Sequence, residues 1–140
     1  MSPTSFDENL LRQPPESEDG TIVVRLPLAD GIPLQMVAVD DIGAVAAAVI
    51  LDPSRVPAGA VEIAGDELTG SQIAEAFGAQ AGQPARYEAL PLDAAGDDDQ
   101  RAMFAWFAHL PAYQADRVLT GELDQHVHTL AQWLAKHWAH

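Results

Sequence analysis

The sequence predicts an α/β fold with a short mixed sheet, a βαβ unit and packed helices. Three stretches carry this reading. Residues 21–28 alternate, with Ile22, Val24, Leu26 and Leu28 pointing one way, the period of a strand. Residues 37–53 read as the end of a strand, a turn with two aspartates, and a helix. In that helix Ile42, Val45, Ala46, Val49 and Ile50 recur at helical spacing. Residues 60–91 read as strand, helix, strand, a βαβ unit whose crossover should be right-handed.

Each element has a local cause. Residues 1–4 are expected to be loose. Residues 5–11 suit a short helix capped by Thr4 or Ser5, with Glu8 at the capping-box position and Phe6, Leu10 and Leu11 on its buried face. Residues 13–20, rich in proline and acids, read as a loop. Pro27 places the strand over 21–28 at a sheet edge. Asp30-Gly31 then turns into a second strand over 34–39, the pair forming a small hairpin. The helix that follows has no charge from Ile42 to Leu51 and is expected at the centre of the fold, with Asp40 or Asp41 capping its first turn and Pro53 stopping it.

A loop through Pro57 and Gly59 leads to a short strand over 60–64. Thr69 and Gln72 form a capping box ahead of a helix that buries Ile73, Ala76 and Phe77 and ends at Gly82. A strand over 85–91 follows. The acids of 93–99 precede a helix over 100–110, where their charge suits the positive helix end. A turn is expected near Thr120. A terminal helix is expected from Thr129, where Thr129 and Gln132 repeat the capping box.

The totals narrow the function. At 140 residues the chain is expected to form a single domain with its own core. With 21 acidic and 7 basic residues the net charge is −14, which argues against nucleic acid and anionic membrane as partners. There is no cysteine, so neither disulfides nor thiolate chemistry arise. No apolar run reaches the ~18 residues of a membrane span, and the first fifteen residues lack a signal-peptide pattern. A cytoplasmic location is the expectation.

Catalytic patterns are scarce. Neither Tyr87 nor Tyr113 is followed four positions on by lysine; those positions hold Pro91 and Arg117. Lys136, the only lysine, falls on a polar face and reads as solvated. His126 and His128 are two apart, wrong for a shared metal on a helix, and His137 and His140 sit at the terminus, so no metal site is expected. Asp97, Asp98 and Asp99 lack the spacing of a calcium loop. His109 reads as a helix-end residue. Phe104, Trp106 and Phe107 form the densest aromatic patch, suited to core packing or to the wall of a pocket.

Several segments together resemble one family. Ser-Phe-Asp-Glu-Asn-Leu-Leu at 5–11 resembles the Phe-x-Glu-Asn motif of the NmrA-like family, atypical short-chain dehydrogenases/reductases. Val-Asp-Asp-Ile-Gly at 39–43 is similar to its Asp-Ile-Gly segment. Residues 61–69, 82–91 and 129–134 follow the same pattern in order. The resemblance is to the C-terminal, substrate-side portion of an extended Rossmann-type protein. The Gly-rich nucleotide-binding half has no counterpart here, because no glycines fall as Gly-x-Gly-x-x-Gly or Gly-x-x-Gly-x-x-Gly; Gly78 and Gly82 lie within and at the end of a helix.

The resemblance implies NAD(P) for the intact fold, while no cofactor is expected on this chain alone. It implies substrate-binding roles for Phe6 and Asn9, to which Trp106 is added on physical grounds. No catalytic residue is expected. Two functions follow: a small-ligand-binding or regulatory module that is not catalytic by itself, or the substrate-binding half of an NAD(P)-dependent oxidoreductase completed by a separate Rossmann chain. Apolar surface on Val23, Val37, Val39 and the Ala-rich helix would then favour a homo-oligomer or that partner chain.

Overall fold

The computed structural model describes residues 2–12, 14–56 and 61–138. Among the described residues five strands precede the first α-helix and three α-helices come last, and the strands fall into three small sheets. Strand β1 (Ser2–Pro3) runs parallel to β6 (Glu62–Ile63). In the second sheet β5 (Leu34–Val37) is central, parallel to β2 (Ser5–Phe6) and antiparallel to β7 (Asp66–Leu68). In the third β4 (Thr21–Leu26) is central, antiparallel to β3 (Glu16–Glu18) and parallel to β8 (Ala85–Ala89). Five α-helices complete the fold: α1 (Val39–Leu51), α2 (Gly70–Ala81), α3 (Asp98–Ala108), α4 (Arg117–Leu123) and α5 (Leu130–His137).

The main core joins β4 and β5 to α2, α3 and α5, with Ile22, Met36, Phe77, Phe107 and Leu130 at its centre. A smaller core gathers Val45, Val56, Ile63 and Leu123 under α1. Helix α2 begins at the expected capping box, Thr69 and Gln72 each bonding the other's backbone, and ends at Gly82 in the left-handed conformation. Helix α5 starts behind the same device at Thr129 and Gln132. Its neighbour α2 meets it through the edge-on rings of Phe77 and Trp138, 4.9 Å apart.

Several expectations are corrected. The stretch 13–20 holds β3, which reaches β4 through Asp19 and Gly20, both at positive φ. A two-residue Asp-Gly turn of that kind matches the twist of a hairpin. The hairpin is therefore β3–β4, and β4 and β5 lie in different sheets. Pro27 falls one residue past β4, so β4 is a central strand. Strand β8 pairs with β4, not with the strand near 62, and the strand entering α2 is β7 in another sheet. Residues 2–6 are largely in strands, with Thr4 buried. Only a 3₁₀ turn over Asp7–Leu11 remains of the helix expected at 5–11, with no side-chain cap. Pro57, Gly59, Met1, Gln13 and His140 lie outside the described residues.

Helix α1 is a surface helix rather than a central one. Val45 is fully buried, but Ile50 and Leu51 are 79% and 86% exposed. Its uncharged, Ala-rich run from Ile42 to Leu51 does not require burial, because alanine is a strong helix former whether buried or not. Neither Asp40 nor Asp41 caps it; the Glu8 carboxylate accepts from Val39 N instead. Val23 and Val37 are buried; exposed apolar side chains lie on α1 and α4 (Val39, Ile50, Leu51, Val118) and around α3 (Leu92, Met103, Trp106, Leu110). Among the described residues no helix is long and apolar enough to cross a membrane.

Gly65 marks the tightest crossing in the fold. A Cβ there would stand 2.3 Å from the carbonyl oxygen of His128, whereas one at Gly43 on α1 would meet open space. Gly65→Ala is expected to lower stability by about 1–3 kcal/mol, the cost of overpacking. Gly43→Ala is expected to leave stability unchanged or raise it by about 0.5–1 kcal/mol. Urea midpoints of the two variants check the contrast.

Candidate functional site

Two constellations stand out, one polar and one aromatic. The polar one begins at the 3₁₀ turn. The chain leaves β2 so that Asp7, the variable residue of Phe-x-Glu-Asn, points inward at 1% exposure, and neither of its carboxyl oxygens has a partner. Burial pushes its pKa up to about 7, with help from the charges of Glu8, Asp66 and Asp41. Asp66, at the start of β7, accepts from Leu130 N at 2.9 Å and so anchors the first turn of α5.

Asp41, in the first turn of α1, is buried. It accepts from His128 N at 2.8 Å and stands 3.0 Å from His128 Nδ1. Nε2 of the same ring lies 2.7 Å from Lys136 Nζ. The ammonium can only donate, so Nε2 accepts and the ring proton sits on Nδ1 toward Asp41. Lys136, expected to be merely solvated, is exposed but tied to this chain of groups. Asp124 completes the cluster. One of its oxygens accepts from His126 N while the other is buried without a partner, and burial, with the nearby Asp41 carboxylate, raises its pKa.

A carboxylate that orients Nδ1 of a histidine is the geometry of a base and its orienting partner. Here Nε2 is directed at Lys136 rather than at an open cavity, so the arrangement ties α1 to the approach to α5. Among the described residues no three His, Asp or Glu side chains converge as metal ligands.

The aromatic constellation borders a cavity of about 380 Å³ between β5, β7 and the segment after α3. Leu34, Phe107, Leu110 and Pro111 give it an apolar lining, and Gln35, Glu67 and Tyr113 add polar groups. Gln35 is fixed from both ends of its amide. It accepts from Ala115 N at 2.7 Å and donates to Glu67 Oε2 at 2.8 Å. Trp106, 45% exposed, packs edge-on against Tyr113 at 5.0 Å, behind the wall. Phe104 stands edge-on to Phe107 at 5.6 Å.

The structure separates the residues singled out from the sequence. Trp106 backs the cavity. Phe6, 37% exposed, pairs with Val37 near the far end of β5, and Asn9 is exposed on the 3₁₀ turn; neither lines the cavity. His109 sits at the C-cap of α3, as expected, and is exposed. Neither the cluster of Asp7, Asp41 and Asp66 nor the grouping of Gln35, Glu67 and Tyr113 is visible in the sequence, because each depends on tertiary pairings that no local pattern reveals.

A dinucleotide needs a helix N-terminus whose backbone N–H groups are free to hold phosphate. Glu8 serves α1, Thr69 and Gln72 serve α2, Asp97 serves α3, Asp116 serves α4, and Thr129 with Gln132 serves α5. Three of the five carry a carboxylate that repels phosphate.

The architecture is that of a Rossmann-type mixed α/β protein with small mixed sheets. A sequence profile of the NmrA-like family matches residues 2–134, and the chain belongs to that family. A search of curated protein sequences gave no match. Among solved structures, the chain is similar to NmrA, a negative transcriptional regulator, in complex with NAD, with a TM-score of 0.73 and 16% identity over 97% of this chain and 51% of that one. The complex of NmrA with NADP gives a TM-score of 0.71 at the same identity and coverage. A nucleoside-diphosphate-sugar epimerase from Staphylococcus aureus gives 0.67 at 12% identity over 95% of this chain and 50% of its own. The chain thus spans about half the length of these neighbours.

The buried acid makes stability depend on pH. In the unfolded chain Asp7 ionises near its ordinary 3.8, and in the fold near 7. Its contribution is full below the lower value and is lost as pH rises through the upper one. Asp7→Asn, neutral at every pH, is expected to flatten the fall in stability between those values and to be more stable than the parent at pH 8 by about 1–3 kcal/mol. Urea denaturation at pH 5 and pH 8 measures both effects.

Proposed function

We propose that this NmrA-like chain is a small-ligand-binding or regulatory module that is not catalytic alone. The observation that carries the reading is the aromatic-walled cavity, whose polar floor is locked by Gln35. Its volume lies in the range of small-molecule sites. The closed helix N-termini support the other half of the reading, that dinucleotide is not held by these residues. A regulatory role also accords with NmrA itself, described as a negative transcriptional regulator. Trp106 is the natural reporter, since its indole packs on the cavity wall.

A second reading is favoured by the face of α1. Val39, Ile50 and Leu51 are exposed, and Val118 on the adjoining α4 is exposed as well. Apolar surface of this kind marks an interface. In this reading a separate Rossmann chain, or a second copy, covers α1. Phe6 and Asn9, on the turn that caps α1 through Glu8, then face the shared site, and NAD(P) is supplied by the partner.

Calorimetric titration of NADPH into the isolated chain is expected to show no micromolar binding; micromolar binding would overturn the first reading. The second predicts self-association or binding of an apolar dye, both reduced by Ile50→Asp with Leu51→Asp. Light scattering that shows a monomer at high concentration, with no dye bound, would count against it.

A further inference from the structure

The cavity described above has a charge character that narrows its ligand, an inference that rests on the ligand-binding reading. No Lys, Arg or His is among the residues that line it. Its charged group is Glu67, an exposed residue whose Oε2 accepts from Gln35. A second carboxylate, Glu62, lies close behind. It accepts from Gln114 N at 2.6 Å, next to Tyr113, and its charge adds to burial in raising the Tyr113 pKa. The phenol of Tyr113 keeps its hydrogen-bonding capacity for a ligand, because among the described residues no group hydrogen-bonds its hydroxyl.

The rest of the wall is aromatic and aliphatic. Phe107 and Tyr113 stand with centroids 5.6 Å apart, and Trp106 backs both. Aromatic rings attract cations through their quadrupole, most strongly where water is excluded. Two carboxylates, clustered rings and no basic group together repel an anion and favour a positive charge.

We infer that the cavity binds a small organic cation, an ammonium on an aromatic or short aliphatic body. The body lies against Phe107 and Tyr113, and the ammonium reaches Glu67. A carboxylate-bearing ligand is excluded by the same charges.

The test titrates the full chain with benzylammonium, benzyl alcohol and benzoate, read by calorimetry and tryptophan fluorescence at low salt. Benzylammonium is expected to bind saturably and about tenfold more tightly than benzyl alcohol, with benzoate not binding. Glu67→Gln is expected to remove the preference for the cation while leaving benzyl alcohol binding intact, which also shows that the variant folds. Glu75→Gln, on α2 away from the cavity, controls for bulk charge and is expected to keep the preference. Equal affinity for benzylammonium and benzyl alcohol, or a preference that survives Glu67→Gln, overturns the cation inference and leaves the ligand cavity standing. No saturable binding by any of the three overturns both.

Discussion

The carboxylate of Asp41 is the contact on which the architecture turns. It sits on α1, above the smaller core of Val45 and Ile63, and binds both the backbone and the ring of His128. Two residues later begins α5, whose Leu130 and Leu134 belong to the main core. The bond therefore helps to join the two cores, alongside the bond from Gly65 N to Met36 O. Such a tie matters because the sheets are small. Strands β1, β2 and β6 have two residues each, and sheets of two or three short strands have little stability of their own. A hydrogen bond to a buried charged group is worth about 1.5–3 kcal/mol, more than most of the backbone bonds it supplements.

Gathering such ties in one place brings carboxylates together. Asp41, Asp66 and Asp124 each accept from a backbone N–H of the segment 126–130. Lys136 reaches this group through the His128 ring. Asp7 is the member without a donor, and a carboxyl so placed is far less costly to bury neutral than ionised. Burial raises the pKa of Asp7, and the charges of Glu8, Asp66 and Asp41 add to it. Gly65 belongs to the same arrangement, since only a residue without a side chain lets the backbone of His128 cross there.

What the sequence made legible follows from the range of each signal. Both capping boxes, the left-handed Gly82 and the break before α5 were readable, because each depends on residues within four positions. The Asp19-Gly20 hairpin was readable in principle, but the acids and prolines before it obscured a three-residue strand. Strand partnership was not readable: β8 joins β4 across about sixty residues, and nothing local distinguishes that from a neighbouring pair. Burial of α1 was misjudged because alanine and valine look alike on the inner and outer faces of a helix. Of the site, Trp106 and its neighbours signalled an aromatic wall. The carboxylates that give the cavity its charge come from β6 and β7, and only tertiary pairing brings them to it.

One short strand connects the two constellations. In β7, Asp66 and Glu67 are consecutive, and consecutive strand residues face opposite sides. Asp66 turns toward the acid cluster and holds the start of α5, while Glu67 turns to the mouth of the cavity. Opposite them on β5, Met36 pairs with Asp66 and Gln35 with Glu67, so the same register orients both sides. A slip of one residue would exchange the faces, burying Glu67 among aspartates and carrying Asp66 to the cavity. Leu68, on the same face of β7 as Asp66, packs against the main core and would leave it on such a slip. The register of one short strand thus sets the charge of the cavity and the anchoring of the terminal helix together.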